Sequence, residues 1–430
     1  MTAPPSSVRR RLTLIAHFAA GQSSSHLLTI AAGFVALRTM AVGDFALYSL
    51  ALAFTAVLGS LVDGGFTRSI VALVGKRSDD AELIARYVAV ARSKRRVLAA
   101  LLAPVACGLF MAATADRGWG LDERLVLVAG VAASVWLQSS IAMHAAPLLI
   151  RADIRGFYAP QRSGAAGRLT GYALAAAVGA LTPVAAIAMN VVYFAFVGRR
   201  MRAASLRYVP LRRNAHRHQA AAMTAYLRPL WPNLILIAIL PQLAIFAVAA
   251  PASAKAVGEA AALARIGALF IIAIAATGAL VEPFIARTPQ RQLARRYLAV
   301  AGLFAAGGAA MTLAVALEPQ PILRLLGTQY DHLATEAKLT VLSGSVNILA
   351  LLLFTMNSAR RWVFGWQTPL LVVLVAAVAG TCAVLVDLAT TRGAVTFTLL
   401  LHGAMLVVYA MCAAQGFRRD RTRPEPASTS

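Results

Sequence analysis

Long apolar stretches alternate with short polar segments from one end of the sequence to the other. Most of these stretches approach or exceed the roughly 20 residues that an α-helix needs to cross the hydrocarbon core of a bilayer. The pattern therefore predicts an all-α integral membrane protein with about twelve transmembrane helices. The predicted spans are 12–36, 45–74, 97–115, 125–150, 163–182, 183–198, 230–250, 260–285, 298–317, 337–358, 368–387 and 395–415.

One tetrapeptide recurs at half the length of the chain. Ala41–Asp44, with the sequence AVGD, returns as Ala256–Glu259, with the sequence AVGE, 215 residues later in a chain of 430. Each copy opens an apolar stretch that carries an acid near its far end, Asp63 in the first stretch and Glu282 in the second. The recurrence predicts two related halves in tandem, which is a common plan for membrane transporters.

The distribution of basic residues predicts the topology. The net charge of +24 could indicate a nucleic-acid partner, but 32 of the 41 Lys and Arg residues fall in segments on one side of the alternating spans and only seven on the other. This asymmetry marks the cytoplasmic side, and it places both termini in the cytoplasm. Contact with anionic lipid then accounts for the basic charge, so no nucleic-acid partner is expected.

The same asymmetry decides how many spans lie between Arg168 and Arg199. Both flanks are basic and must share a side, so an even number of helices separates them, and Thr182 and Pro183 supply the turn.

A separate segment, 79–96, begins acidic and ends basic, which predicts a helix on the cytosolic surface. The predicted domains are a six-helix bundle over 1–198, a basic cytosolic linker over 199–228, a six-helix bundle over 229–417 and a disordered tail over 418–430.

The sequence offers little support for catalysis. Cys107, Cys382 and Cys412 lie inside predicted spans without paired spacing, the seven histidines are scattered, and no Walker glycine loop is present. We therefore expect no enzyme activity, no metal and no cofactor, with coupling to a H⁺ or Na⁺ gradient left open.

Four charged residues inside the predicted spans are candidates for a transport pathway. Asp63 could couple transport to H⁺ or Na⁺, or it could be an acid satisfied by Arg68 or by the loosened backbone at Gly64 and Gly65. Arg68 could bind a phosphate or sugar acid, or it could extend to the membrane surface. Arg265 is expected to face a wet cavity or an acid, and Glu282 to couple ions or to reach the interface.

Neutral polar residues inside the spans could line the same cavity, although each could instead form a hydrogen bond between helices. Prolines at 229, 232 and 241 predict a kink in the seventh span, serving either gating or static packing. The neutral candidates are His26, Gln138, His144, Asn233, Gln242 and Asn347.

The segment from Arg38 to Tyr48 carries a family resemblance. Arg38-x₅-Asp44-Phe45-Ala46-x-Tyr48 resembles the first-loop signature of the bacterial polysaccharide flippases that export O-antigen and teichoic-acid precursors. Ala46 stands where that family usually has glycine, and Met40-Ala41 replaces its usual Leu-Gly. Residues 61–65, LVDGG, resemble the end of the family's second helix, and residues 256–260, AVGEA, resemble the start of its eighth.

The resemblance implies the fold of the multidrug/oligosaccharidyl-lipid/polysaccharide exporter superfamily, in which two six-helix bundles surround a central cavity. It implies that the chain flips a polyprenyl-pyrophosphate-linked oligosaccharide across the bacterial cytoplasmic membrane for cell-surface polysaccharide biosynthesis. Membrane lipids and other polysaccharide-assembly proteins would be its partners. Arg68, Arg265, His26 and His144 are the residues expected to line the cavity.

Other functions remain open at the level of the sequence. A cation-coupled multidrug exporter of the same fold would use a coupling acid such as Asp63. A lipid II flippase is a related possibility. A membrane glycosyl polymerase or ligase is disfavoured because the outer loops are short, and a non-transporting assembly scaffold is a further alternative.

Overall fold

The structure is a computed structural model that describes residues 24–75, 77–115, 117–210, 216–249, 252–270, 277 and 281–422. Every regular element in these residues is helical, which agrees with the predicted fold class. A helix over 24–39, α1, comes first. The other helices of the first 270 residues are α2 (Val42–Asp63), α3 (Phe66–Val74), α4 (Ala81–Ala113), α5 (Leu121–Ile150), α6 (Ile154–Ala177), α7 (Pro183–Ser205), α8 (Arg217–Leu227), α9 (Trp231–Ile239), α10 (Leu243–Ala249) and α11 (Ala254–Leu269).

Six further α-helices follow among the described residues after Phe270. Three of them, α13, α15 and α17, are 26 residues or longer, and α12 and α14 are short connecting helices. Their bounds are α12 (Glu282–Ala286), α13 (Gln290–Leu317), α14 (Gln320–Leu326), α15 (Ala334–Ala359), α16 (Gln367–Leu385) and α17 (Thr391–Thr422).

Short polar side chains fix where several helices begin. Asp80 accepts a hydrogen bond from the amide of Leu83 at 2.8 Å, and this N-cap starts α4. Asp153 caps α6 in the same way. Thr182 caps α7, with Pro183 at its first position. The turn predicted from Thr182 and Pro183 therefore separates two helices, as the distribution of basic residues required.

Two glycines interrupt the second span. Gly64 and Gly65 have φ angles of 50° and 79°, so the α-helix stops at Asp63 and restarts at Phe66. A Cβ atom at Gly65 would lie 2.7 Å from the Cδ1 atom of Leu234 in α9, which shows how closely the α9 side chain approaches. The break leaves Asp63 at the C-terminal end of α2.

The helix of the seventh predicted span is interrupted at Pro241, and a bend precedes the span. Helix α8 and the segment Trp231–Gln242 meet at an angle of 67° across a short break. Pro232 lies in the first turn of α9, and Pro241 lies in a 3-10 turn over Leu240–Gln242. Proline cannot donate a backbone hydrogen bond, which accounts for the interrupted helix.

The chain divides into two compact units, Met1–Ala261 and Ala262–Ser430. In the first unit, α5 packs against α2, α4 and α7. In the second, α15 packs against α13 and α17, and α16 packs against α17.

Among the described residues, eight helical segments are long and apolar enough to cross a membrane, and the bent α8–α9 pair would add a ninth. Many large apolar side chains on these helices face outward; Leu303, Leu317 and Val384, for example, are 70%, 76% and 82% exposed. Apolar surface on this scale indicates contact with lipid. The chain is a multi-pass membrane protein.

Two segments differ from the sequence expectation. The surface helix predicted for 79–96 is not separate: residues 81–96 form the first part of the continuous 33-residue helix α4. Helix α17 continues to Thr422, five residues into the tail predicted to be disordered. Residues 12–23 of the first predicted span and residues 423–430 of the tail lie outside the described residues.

Candidate functional site

A cavity of about 590 Å³ lies among α4, α5 and α7 in the first unit. Two residues of α4 one helical turn apart, Arg92 and Arg96, share a face of that helix. Arg202 reaches the cavity from the last turn of α7. The α5 side contributes residues spaced at helical intervals, namely Trp136, Ser139, Ser140, Met143 and His144.

The lining gives the cavity a positive charge. Three guanidinium groups and an imidazole face it, and none of the described residues that line it is acidic. The positive charges of the three guanidinium groups repel one another, and a bound anion would reduce this repulsion. Arginine presents a planar fork of donors that matches phosphate and carboxylate oxygens, and the serine hydroxyls add neutral donors. The geometry suits an anionic group.

A buried ion pair adjoins this cavity. Arg95, between the two cavity arginines in sequence, is fully buried, and its Nη2 atom donates to Asp63 Oδ1 and, at 2.8 Å, to Thr67 Oγ1. Thr67 Oγ1 lies 2.9 Å from Asp63 Oδ1 and 3.2 Å from the carbonyl oxygen of Ala142. The pair therefore joins the end of α2 and the start of α3 to α4 and α5.

The Arg95 guanidinium depends on Asp63 for charge compensation. Its Nε and Nη1 atoms are buried without a hydrogen-bond partner among the described residues, and the guanidinium lies over the ring of Phe66, 5.8 Å from the ring centroid. A buried cation that loses its acid is strongly destabilising. Asp63, 28% exposed, is thus already engaged by a protein cation.

The sequence candidates are dispersed among several helices. His144 is buried and lines the cavity, and Asp63 lies in the adjoining ion pair, although its partner is Arg95 rather than Arg68. Arg68 is exposed on α3. Gln138 projects from α5 toward Gly59 of α2, where its carboxamide packs against the glycine backbone.

The remaining candidates are not among the described residues that line the cavity. Asn233 and Gln242 are half-buried in the seventh predicted span, and His26 is half-buried in α1. In the other helices, Arg265 on α11 and Asn347 on α15 are half-buried, and Glu282, the first residue of α12, is exposed.

Sequence reasoning missed the residues that give the site its charge. Arg92, Arg95, Arg96 and Arg202 fall in basic segments, where they were counted as topology signals. For the three arginines on α4, the signal was the helical continuity of 81–113, which places the last part of the basic segment inside the bundle. Arg168 is a similar case, since it hydrogen-bonds Asn190 at 2.8 Å within the first unit.

Comparison with known proteins identifies the fold. No protein-family model matches the sequence, and no curated protein matches it. Among solved structures, the inward-facing conformation of a multidrug resistance MATE family transporter of the MOP superfamily matches with a TM-score of 0.69 and 13% identity. That match covers 92% of this chain and 94% of the other.

Two further structures match over nearly their full lengths. The eukaryotic MATE transporter AtDTX14 has a TM-score of 0.61 and 10% identity, covering 96% of this chain and 98% of that chain. A MOP superfamily transporter from Pyrococcus furiosus, described as having a binding pocket of reverse polarity, has a TM-score of 0.58 and 16% identity, with 95% of each chain covered. The protein therefore has the twelve-helix fold of the MATE transporters of the MOP superfamily.

Proposed function

We propose that the protein is a membrane transporter that flips a polyprenyl-pyrophosphate-linked oligosaccharide from the cytosolic to the outer leaflet by alternating access. The observation that carries the proposal is the positive charge of the cavity among α4, α5 and α7. A pyrophosphate cannot cross hydrocarbon without a large desolvation cost, and a wet site with arginine donors lowers that cost.

The topology supports the same assignment. The cavity residues lie in the first half of α4, the second half of α5 and the last turn of α7, toward helix ends that are flanked by segments rich in Lys and Arg. Under the positive-inside rule these ends face the cytosol, where both termini would also lie. We therefore propose the bacterial cytoplasmic membrane as its location, with the anionic headgroup entering from the cytosolic side. The first-loop resemblance points to the same substrate class.

The main alternative is a cation-coupled multidrug exporter, since some proteins with this fold are described as multidrug resistance transporters. Arg92, Arg96 and Arg202 would repel a cationic drug from this cavity, and Asp63 is occupied by Arg95. Pocket polarity is also the property highlighted for the Pyrococcus furiosus neighbour, where its reversal is said to suggest a different function. Charge is thus the property on which the two candidate functions differ.

We propose that transport is coupled to a proton or Na⁺ gradient. Asp63 is the coupling candidate with a defined structural consequence, because its protonation would remove the counter-ion of the buried Arg95. Glu282 is exposed at the start of α12.

Flipping by the purified full chain in proteoliposomes tests the proposal. A polyprenyl-pyrophosphate-linked oligosaccharide is placed in one leaflet, an ion gradient is imposed, and exposure of the sugar to a membrane-impermeant oxidant is followed. We expect flipping by the wild type and its loss in the double variant Arg92→Gln/Arg96→Gln. Arg86→Gln removes one positive charge from an exposed part of α4 outside the cavity and should leave flipping unchanged.

A drug assay in the same vesicles distinguishes the alternative. Ethidium export by the wild type without any sugar flipping would overturn the flippase proposal in favour of the multidrug exporter. A matched decrease in the double variant and in Arg86→Gln would show that general surface charge, and not the cavity, governs transport.

A further inference from the structure

A second, apolar groove of about 260 Å³ lies among α2, α4 and α5. Leu58 and Val62 of α2 form one wall, and Val131 and Val135 of α5 form another. The α4 wall consists of alanines and a cysteine at helical spacing, and their small side chains leave the groove open. Among the described residues that line the groove, Arg96 is the one with a charge.

The groove is continuous with the cationic cavity. Arg96 and Trp136 line both, so the charged end of the groove is the edge of the cavity. From Arg96 the groove follows α4 as far as Phe110, about 21 Å along the helix at 1.5 Å per residue. This length is roughly two-thirds of the hydrocarbon thickness of a bilayer.

The groove also borders the surface that faces lipid. On α4, Leu101 and Val105 are 64% and 60% exposed, and Trp136 at the junction is 55% exposed. An apolar chain in the surrounding bilayer can therefore reach the groove without passing a polar barrier. The combined site presents cationic donors at one end and an apolar channel at the other, which matches an amphiphile with a phosphate headgroup and a hydrocarbon tail.

We propose that this groove holds the part of the polyprenyl chain nearest the pyrophosphate while the headgroup occupies the cationic cavity. The inference rests on the proposed function, since it assigns a second contact to the same substrate. An apolar tail gains little by leaving lipid for protein, so the groove acts through its shape. It keeps the tethered headgroup close to Arg92 and Arg96 and raises its local concentration there.

Filling the groove tests this assignment. Ala103 faces the groove from the middle of its α4 wall, so Ala103→Trp should block it, and Ala103→Leu provides a smaller obstruction. Val105→Trp adds the same indole two residues away on the exposed face of α4. Binding of two probes, a polyprenyl pyrophosphate and inorganic pyrophosphate, is measured with the full chain in lipid nanodiscs.

We expect Ala103→Trp to weaken binding of the polyprenyl pyrophosphate by about tenfold or more, Ala103→Leu to weaken it less, and Val105→Trp to leave it unchanged. Inorganic pyrophosphate, which has no tail, should bind all three variants as it binds the wild type. Equal weakening of both probes, or of neither, would overturn the groove as a tail site.

The two proposals fail differently in this experiment. If the wild type binds neither pyrophosphate probe, the proposed function fails. If it binds both probes but the groove variants do not distinguish them, the function stands and the tail site is wrong. A bilayer phospholipid that displaces the polyprenyl pyrophosphate in proportion to its concentration would assign the groove to structural lipid and overturn the inference.

Discussion

The two compact units differ in the kind of polar side chain that they bury. The first unit buries a charged pair, Arg95 with Asp63, beside a cavity that carries three more arginines. In the second unit, the described polar residues that are buried are all neutral, and some of them hydrogen-bond side chains of neighbouring helices. Tyr297 donates to Asn357 at 2.8 Å, and Ser343 meets His402 at 2.8 Å.

This difference distinguishes two roles of polar side chains in a membrane protein, helix packing and ligand binding. Neutral pairs such as Tyr297 with Asn357 satisfy each other and hold helices together at modest cost. Charged groups cost far more to place in the bilayer, so their concentration around one cavity indicates a ligand of opposite charge. The first unit is therefore where we place substrate recognition, and the described polar pairs of the second unit are where we place packing.

The largest expected effect comes from breaking the buried pair in the first unit. Arg95→Leu leaves Asp63 without its cation, and Asp63→Asn leaves Arg95 as an uncompensated charge. Either change should lower the free energy of unfolding by about 3–5 kcal/mol. Denaturant or thermal unfolding of the detergent-purified protein measures this loss.

Arg86→Leu is the matched control for Arg95→Leu. Arg86 pairs with Glu82 on the same helix at 3.2 Å, but both side chains are more than one-third exposed. Its loss should change stability by less than about 1 kcal/mol. Similar losses for Arg86→Leu and Arg95→Leu would show that burial of the pair has no special role.

A smaller effect is expected from breaking the neutral hydrogen bond between Tyr297 and Asn357 in the second unit. Tyr297→Phe removes the donor to Asn357 Oδ1 and should cost about 1–3 kcal/mol, because the buried acceptor is left unsatisfied. Flipping per folded molecule should be unchanged. The control is Tyr226→Phe, at a residue 38% exposed, which should alter neither quantity. Lost transport by fully folded Tyr297→Phe would remove the contrast between the units.

The sequence predicted the fold well because hydrophobic length and the placement of basic residues act through the bilayer, which constrains every span. It resolved α6 and α7 as two helices, and its proline at 241 anticipated the interruption of the helix in the seventh span. The predicted location of both termini in the cytoplasm stays a prediction.

The site was much harder to predict. Arg95 and Arg96 are neighbours in a basic run, yet one is fully buried and the other is exposed on the cavity face. The rotation of α4 about its axis, relative to α5, decides which of the two arginines is buried. A topology prediction from the distribution of basic residues counts both arginines in the same way. Asp63 was singled out as an acid inside a span, and the structure pairs it with Arg95, 32 residues further along the chain, where no local pattern could identify the partner.

The smallest predicted effect compares one histidine from each unit. His144 lines the cavity, whereas His402 bonds Ser343 in the second unit. His144→Gln should weaken pyrophosphate binding by about threefold and leave stability nearly unchanged. For His402→Gln we expect the reverse, a loss of about 1 kcal/mol in stability with unchanged binding. Titration and unfolding of both variants measure the two quantities, and identical behaviour of the two histidines would contradict the division.

The central claim is that the first unit binds an anionic headgroup through its cationic cavity. The most direct measurement is the affinity of the purified full chain for a polyprenyl pyrophosphate, compared between the wild type and Arg92→Gln/Arg96→Gln/Arg202→Gln at low and high salt. The account predicts that the wild type binds, that binding weakens as salt rises, and that the triple variant binds about 100-fold less tightly or worse. Equal affinity in the wild type and a correctly folded triple variant would contradict it.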